Sequence, residues 1–314
     1  MKICIVKVSS IGDISHTSFV PHLIKKYIPS AEIHWYCDQS FTDIITHNPF
    51  INKVYQVFSK GTKQNPVKFI KQLFIFRKIA KQEKYDVVID FQGTFKSALI
   101  SKALCTNNNL WGFKNTRDII AHKLYKKSCN IPLQTNVYRR AVSIINNALN
   151  INASTSEIKI PFLFCNKENQ PPNKSIVIFP SSSKLNKNYS VENYRKLLLE
   201  IHKNYNITLL YGSNAEKEMC KEISKGFDNI NIVGNMQLDA VKNLISKTKC
   251  VIGGDTGILH IASALGVKNI TLYGPTPAYR TSIHKKHSIT IQGNGDVNKI
   301  PIKEIIKALN FLKI

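Results

Sequence analysis

Two short stretches carry the residue types that chemistry needs. In the first, Val251–Gly266, an apolar run meets Gly253 and Gly254, and Asp255, Thr256 and Gly257 follow. An Ala-rich segment then places Ile258, Ile261, Ala262 and Leu265 at helical spacing. The pattern reads as strand, tight turn and helix. A helix N-terminus has unpaired N–H groups and the positive end of a dipole, which suits an anion. Glycines let backbone N–H groups come close to a phosphate. Asp255 or Thr256 can cap the helix, and His260, one turn in, can face the same point. An ordinary capped helix after a buried strand would look alike.

The second stretch opens the chain: an apolar strand, then Ser9, Ser10, Gly12 and Asp13, then a helix with His16. Ligands of doubly wound sheets collect beyond the C-terminal strand ends. A carboxylate at a helix N-terminus is kept ionised, as a general base must be. Asp13 is therefore either a base or a plain N-cap. Lys187 follows the Ser-rich turn SSSKLN, with Lys184 close enough to compete for any role. Glu216 opens a helix after Gly212, where an acid commonly binds ribose hydroxyls or serves only the helix. Arg117 and Lys123 lie in the basic run TRDIIAHKLYKK, either a solvated loop or a fork for a carboxylate.

The elements that would position these residues alternate. Residues 1–8 predict a buried strand, and about Ile14 to Tyr27 a helix ending before Pro29. Strands are expected at Ile33–Tyr36, Lys53–Val57 and Tyr85–Asp90, and a helix at Phe95–Leu104. Between Val67 and Gln82, Phe69, Ile70, Leu73, Phe76 and Ala80 make one helical stripe and Lys68, Lys71 and Lys78 another. Pro161, Pro171 and Pro172 mark a linker within 150–174. Strands then follow at Ser175–Phe179, Ile207–Tyr211, Ile230–Val233, Cys250–Ile252, Ile270–Tyr273 and Ile289–Ile291. Helices at Val191–Lys203, Ala215–Lys225, Leu238–Lys247 and Pro301–Leu312 alternate with them. Alternation of this kind predicts parallel, doubly wound α/β sheets.

Five motifs in this order, from SSIGD through Lys187, Glu216 and DTGILH to YGPT at Tyr273–Thr276, resemble those of the ADP-heptose–lipopolysaccharide heptosyltransferases. These are inverting glycosyltransferases of family 9, and the likeness spans nearly the whole chain. The start is more similar to heptosyltransferase I than to heptosyltransferase II. The resemblance implies a GT-B fold, two Rossmann-like doubly wound domains facing across a cleft. Residues 1–160 would bind the acceptor and 161–300 the nucleotide-sugar donor, with the helix at 301–314 packing back on the first domain. It implies transfer of heptose from ADP-heptose to the Kdo sugar of a lipid A-linked core. Asp13 and Lys187 would be catalytic. Lys187, Glu216, Met236, Asp255, Thr256, Gly257 and His260 would bind the donor. Ser9, Ser10, Gly12, His16, Arg117 and Lys123 would bind the acceptor. The family's Lys is followed by a bulky aromatic or His and then Pro; here Asn188, Tyr189 and Ser190 follow. No DxD-type pair is present, so neither a metal nor another cofactor is expected.

Composition fits such an enzyme. The 314 residues allow two full cores, and 43% hydrophobic residues is ordinary for a globular chain. The seven cysteines form no CxxC or Cys/His cluster and read as reduced thiols. No apolar run reaches membrane length and no signal peptide is expected, so the chain reads as cytoplasmic and monomeric. A net charge of +24 implies an acidic partner. From Ser59 to Lys84 there are eight Lys/Arg and one acid, which predicts peripheral attachment to the anionic inner-membrane surface. Nucleic-acid binding explains the charge less well, because no RNP, KH or zinc-finger signature appears. A dehydrogenase is disfavoured because the first turn lacks GxGxxG. A family 9 enzyme with a different acceptor, as in heptosyltransferase II, is the nearer alternative.

Overall fold

The first strand, β1 (Lys2–Val6), is buried at Ile3, Cys4, Ile5 and Val6 alike, as a central parallel strand with both faces covered must be. The computed structural model describes residues 1–58, 65–165, 175–182, 185–283 and 285–314. The chain divides into Met1–Leu163 and Phe164–Ile314, a boundary inside the expected linker.

After β1 the first unit runs α1 (Ile11–Thr17), α2 (Val20–Tyr27), β2 (Glu32–Asp38), α3 (Thr42–Ile45), β3 (Lys53–Val57) and α4 (Pro66–Glu83). It continues through β4 (Val87–Asp90), α5 (Phe95–Leu104), β5 (Leu110–Phe113), α6 (Ile119–His122), β6 (Lys127–Cys129) and α7 (Val137–Leu149). The six strands are parallel in the order β3-β2-β1-β4-β5-β6. The chain winds outward from β1 and then, from β4, the other way. The switch point, where such sheets bind ligands, therefore lies between β1 and β4.

The second unit repeats the plan. Its elements are β7 (Ser175–Phe179), α8 (Val191–Ile201), β8 (Asn206–Tyr211), α9 (Asn214–Ser224), β9 (Ile230–Gly234) and α10 (Leu238–Ser246). Then come β10 (Cys250–Gly254), α11 (Gly257–Leu265), β11 (Asn269–Tyr273), β12 (Ser288–Gln292) and α12 (Ile302–Phe311). The order β12-β11-β10-β7-β8-β9, again parallel, puts the switch point between β7 and β10.

Two expectations are corrected. The single helix read from Ile14 to Tyr27 is two, α1 and α2, broken at Ser18–Phe19. Pro21 lacks an N–H and is tolerated only in a first turn, so it starts a new helix. In α4, Ile70 leaves the buried stripe and is 52% exposed, while Gln72 is buried and accepts from the Phe58 amide. The closing helix α12 packs on its own unit: Ile305, Ala308, Leu309 and Leu312 belong to one core with Ile176, Leu197 and Leu272. Their spacing keeps them on one face of the helix.

Glu32, His34 and Glu83 gather where β1, β2 and β3 begin, at the edge of the first sheet opposite Asp13. Lysines already neutralise the acids. Lys2 lies 2.8 Å from Glu83, Lys53 2.9 Å from it, and the Tyr55 hydroxyl donates to it at 2.6 Å. These bonds hold the Glu83 carboxyl down at about 2. A depressed carboxylate contributes stability that is present above its unfolded value, about 4.3, and is lost as pH falls towards 2. Glu83→Gln should cost roughly 1–3 kcal/mol at neutral pH and less in acid. Urea unfolding at both pH values checks this; an equal cost at each would remove the charge from the explanation.

Candidate functional site

Both groups of chemistry-bearing residues stand at the switch points. In the first unit Ser10, extended at φ −96° and ψ −168°, is the N-cap of α1, and Asp13 is its third residue. The Asp13 carboxylate accepts weakly from the Ser10 amide at 3.4 Å and stays one-third exposed. Burial pushes its pKa up. Lys7, His16, the Ser10 amide and Arg117 together outweigh burial and hold it below the usual carboxylate value.

Lys7 is 7% exposed, with its ammonium 3.8 Å from Asp13 and donating to the Phe91 carbonyl at 3.1 Å. Burial lowers its pKa, against the pull of Asp13 and Asp90. Asp90 is fully buried at the end of β4. It accepts from the Gln92 and Gly93 amides at 2.7 and 3.2 Å and from the Tyr125 hydroxyl at 2.8 Å. Gln92 in turn accepts from the Ser9 amide at 3.2 Å, tying the turn after β4 to the turn that carries Asp13. Gly93 turns at φ +70°, and a Cβ there would meet Thr116 at 3.2 Å.

Ser9 and Gly12 are half-buried in this turn. His16 is 5% exposed and stands edge-on to Tyr138, so it is a buried neighbour of Asp13. Arg117 is exposed on the turn after β5, and its charge acts on both Lys7 and Asp13. Lys123 is exposed at the C-cap of α6, and no described contact ties it to Asp13. A hollow lined by Lys114, Thr116, Ile119, His122 and Leu133 lies at the C-terminal ends of β5 and β6.

In the second unit Thr256, extended at φ −134° and ψ 164°, begins α11 but makes no side-chain cap bond. Its hydroxyl oxygen is buried and has no hydrogen-bond partner among the described residues. Asp255 does not cap either. Its carboxylate takes the Lys187 ammonium at 2.5 Å on one oxygen and His260 Nε2 at 3.1 Å on the other. Burial pushes the Asp255 pKa up, but His260 and then Lys187 hold it well below the carboxylate range. A Cβ on Gly254 would meet the Lys187 carbonyl at 2.9 Å, so only glycine lets the end of β10 approach this turn. Lys184 and Ser183 lie outside the described residues.

Glu216 closes a capping box with Ser213 at the start of α9, where one carboxylate oxygen accepts from the Gly212 and Ser213 amides at 2.6 and 3.1 Å. Its helix role is thus real, and it leaves the second carboxylate oxygen outside the box. Met236 is half-buried beyond β9, next to Asn235 at φ 55°. Lys187, Asp255, Glu216 and Met236 therefore follow β7, β10, β8 and β9, four adjacent strands, at one edge of the sheet.

The sequence does not show the burial of Lys7 beside Asp13 or the brackets formed by Asp90 and Gln92. The signal was there: a charged residue closing an apolar strand, as in YDVVID, marks a strand end that binds something polar.

The model of glycosyltransferase family 9 (heptosyltransferase) matches residues 74–309. Lipopolysaccharide heptosyltransferase 1 of Campylobacter coli is 31% identical over 301 residues, covering 90% of this chain and 86% of that one. The Salmonella typhimurium protein of that name is 28% identical over 286 residues, covering 88% and 89%. Among solved structures, E. coli heptosyltransferase WaaC with ADP-2-deoxy-2-fluoro heptose superposes with a TM-score of 0.84 at 24% identity, over 99% of both chains. At that identity the likeness speaks to the fold alone.

Proposed function

Since the chain belongs to glycosyltransferase family 9 and is a heptosyltransferase of lipopolysaccharide core synthesis, we propose that it moves heptose from ADP-heptose to a Kdo sugar of lipid A-linked core, inverting the anomeric carbon. The observation that carries this reading is the opposite chemistry of the two switch points. One holds a carboxylate kept ionised, and the other holds a lysine beside the N-terminus of an apolar helix.

Asp13 takes the proton of the acceptor hydroxyl as its oxygen bonds to the anomeric carbon. The bond from that carbon to the diphosphate breaks, and ADP leaves with the electron pair. Lys187, the Thr256 hydroxyl and the amides of Thr256 and Gly257 meet the growing charge. His260 holds Asp255, which in turn aims Lys187. Strands spaced about 4.8 Å apart put roughly 14 Å between the turns after β10 and β9. That span suits a nucleoside diphosphate with its phosphates at Lys187, its ribose on Glu216 and its adenine at Met236. On the acceptor side Ser9, Ser10, Gly12 and His16 frame Asp13, and Arg117, with Lys123 farther along the same segment, offers charge for a sugar carboxylate. Because lysine and helix dipole supply positive charge to the diphosphate, the transfer is proposed to need no metal ion. The enzyme would work as a peripheral protein on the cytoplasmic face of the inner membrane.

Calorimetry with free nucleotides tests the donor: ADP should bind more tightly than UDP or GDP, and EDTA should leave turnover unchanged. Equal or tighter UDP binding would remove the ADP-sugar assignment.

A further inference from the structure

The buried face of α4 is complete with Phe69, Gln72, Leu73, Phe76 and Ala80, yet the helix carries a second apolar set. Val67, Ile70 and Phe74 are 59%, 52% and 71% exposed, spaced i, i+3 and i+7 along the outer side. Ile119 and Ile120 of α6 are 74% and 60% exposed, and Phe95 at the start of α5 is 43% exposed. A single exposed apolar side chain means nothing, but a group of them on one layer does.

They do share a layer. The sheet winds β3→β4→β5→β6 in one direction, so right-handed crossovers put α4, α5 and α6 on the same face. Residues of all three helices join one core on that face, and α5 packs between α4 and α6. They also share an end. Each helix follows the C-terminal end of a strand, so its first turns lie at the edge of the sheet that carries Asp13. Val67, Ile70, Phe95, Ile119 and Ile120 all fall in those first turns.

On α4 the exposed charge has one sign, while Asp118, the N-cap of α6, is an exposed acid that accepts from the Phe95 amide at 2.9 Å. On α4, Lys68, Lys71, Arg77, Lys78 and Lys81 are exposed, and the helix's only acid, Glu83, is held by Lys2 and Lys53. The Lys68 ammonium lies 4.8 Å over the Phe58 ring. Lysine stems lie along apolar surface while their heads reach for anions, which is how a protein sits in a headgroup layer.

We propose that the outer face of α4–α6 is a lipid-docking surface, in which Val67, Ile70, Phe74, Ile119 and Ile120 enter the acyl boundary of an anionic leaflet and the lysines bind its headgroups. This differs from a purely electrostatic attachment, because an inserted apolar surface survives salt. It rests on the acceptor being lipid-anchored, as proposed above. The face adjoins the Asp13 edge, so docking brings the base down to the height at which a membrane sugar is offered.

Flotation of the whole chain with vesicles tests it, using pure phosphatidylcholine and phosphatidylcholine mixed with phosphatidylglycerol. Measurements at low salt and at about 1 M salt, where the screening length falls to about 3 Å, separate the two contributions. The chain should bind anionic vesicles at low salt and keep part of that binding at high salt. Combining Val67→Ser, Ile70→Ser and Phe74→Ser should abolish the salt-resistant part and weaken low-salt binding about tenfold or more. Lys68→Gln with Lys71→Gln and Lys78→Gln should weaken low-salt binding and spare the resistant part. Transfer to a lipid-free acceptor saccharide should be unchanged in both variants, which also shows that they fold. Vesicle binding involves no transfer step, so a wrong acceptor assignment would leave it standing. Complete release by salt, or equal binding of the serine variant, would overturn the proposal. So would self-association in solution that the serine variant abolishes, because the face would then meet a second copy of this chain.

Discussion

Asp13→Asn should lower turnover by about 10²–10⁴-fold, the usual contribution of a general base, while ADP affinity stays at the wild-type value. Asp13 and the residues proposed to hold the nucleotide belong to different units, so the two readouts separate. Asn keeps the size of Asp and its place after the Ser10 cap, so folding survives. What it cannot do is accept the hydroxyl proton. The pH profile carries a second signature. Asp13 works ionised and its pKa is depressed, so kcat/KM should hold down to a lower pH than an ordinary carboxylate allows and fall as pH drops through that depressed value. Lys7→Met removes the nearest cation, 3.8 Å away, and should move the acid limb upward. Turnover with lipid acceptor, measured beside calorimetric ADP affinity, decides the matter. Near-normal turnover of Asp13→Asn would make Asp13 a helix cap only, with His16 the nearest remaining base.

Lys187→Ala should weaken ADP binding by about 10–100-fold, the range of a charged hydrogen bond, and lower kcat as well. The lysine's charge is felt by the diphosphate both before and during departure. The loss has two parts, because Asp255 lies within 2.5 Å of Lys187 and would be left facing the phosphates with only His260 beside it. Adding Asp255→Asn to Lys187→Ala should therefore recover part of the lost affinity, although Asp255→Asn alone weakens binding by freeing Lys187 from its aim. A double-mutant cycle by calorimetry reads this coupling. Strictly additive losses would mean that the ion pair is not part of the donor site, and unchanged ADP binding in Lys187→Ala would hand the role to Lys184.

Much of this was legible in the chain. The strands of the second unit follow continuous aliphatic runs between turn residues, and their expected bounds differ from the observed ones by only a residue or two. The middle of the first unit was not legible. β5 (LWGF) is too short to show a period, and β6 (KSC) is both too short and too polar. α6, a single turn, offers no stripe. Their existence is settled by pairing: β5 beside β4, and β6 beside β5. The site residues were visible as types at strand ends, but their partners were not. Nothing in local sequence says that Lys187 reaches 68 residues on to Asp255, or that Ser9 donates to Gln92, 83 residues away. The capping role of Asp255 failed because its oxygens are taken instead by the Lys187 ammonium, 68 residues away in sequence, and by the His260 ring one turn on.

The place of α12 in the second core fixes the order in which the molecule is completed on the ribosome. The first unit has its last residue at Leu163, so its sheet can close while the rest is still being made. The second cannot. Tyr189, two residues after Lys187, is fully buried and donates to the carbonyl of Ile300 at 2.7 Å, and the same core takes side chains as late as Leu312. At about 5–20 residues per second, the 151 residues from Phe164 to Ile314 take roughly 8–30 s to emerge. For that interval the nascent chain would hold a finished first unit and an open, apolar second unit. Chaperones would meet it in that form, and a chain released before Leu312 could fold around Asp13 but could not close the core that Tyr189 joins just after Lys187.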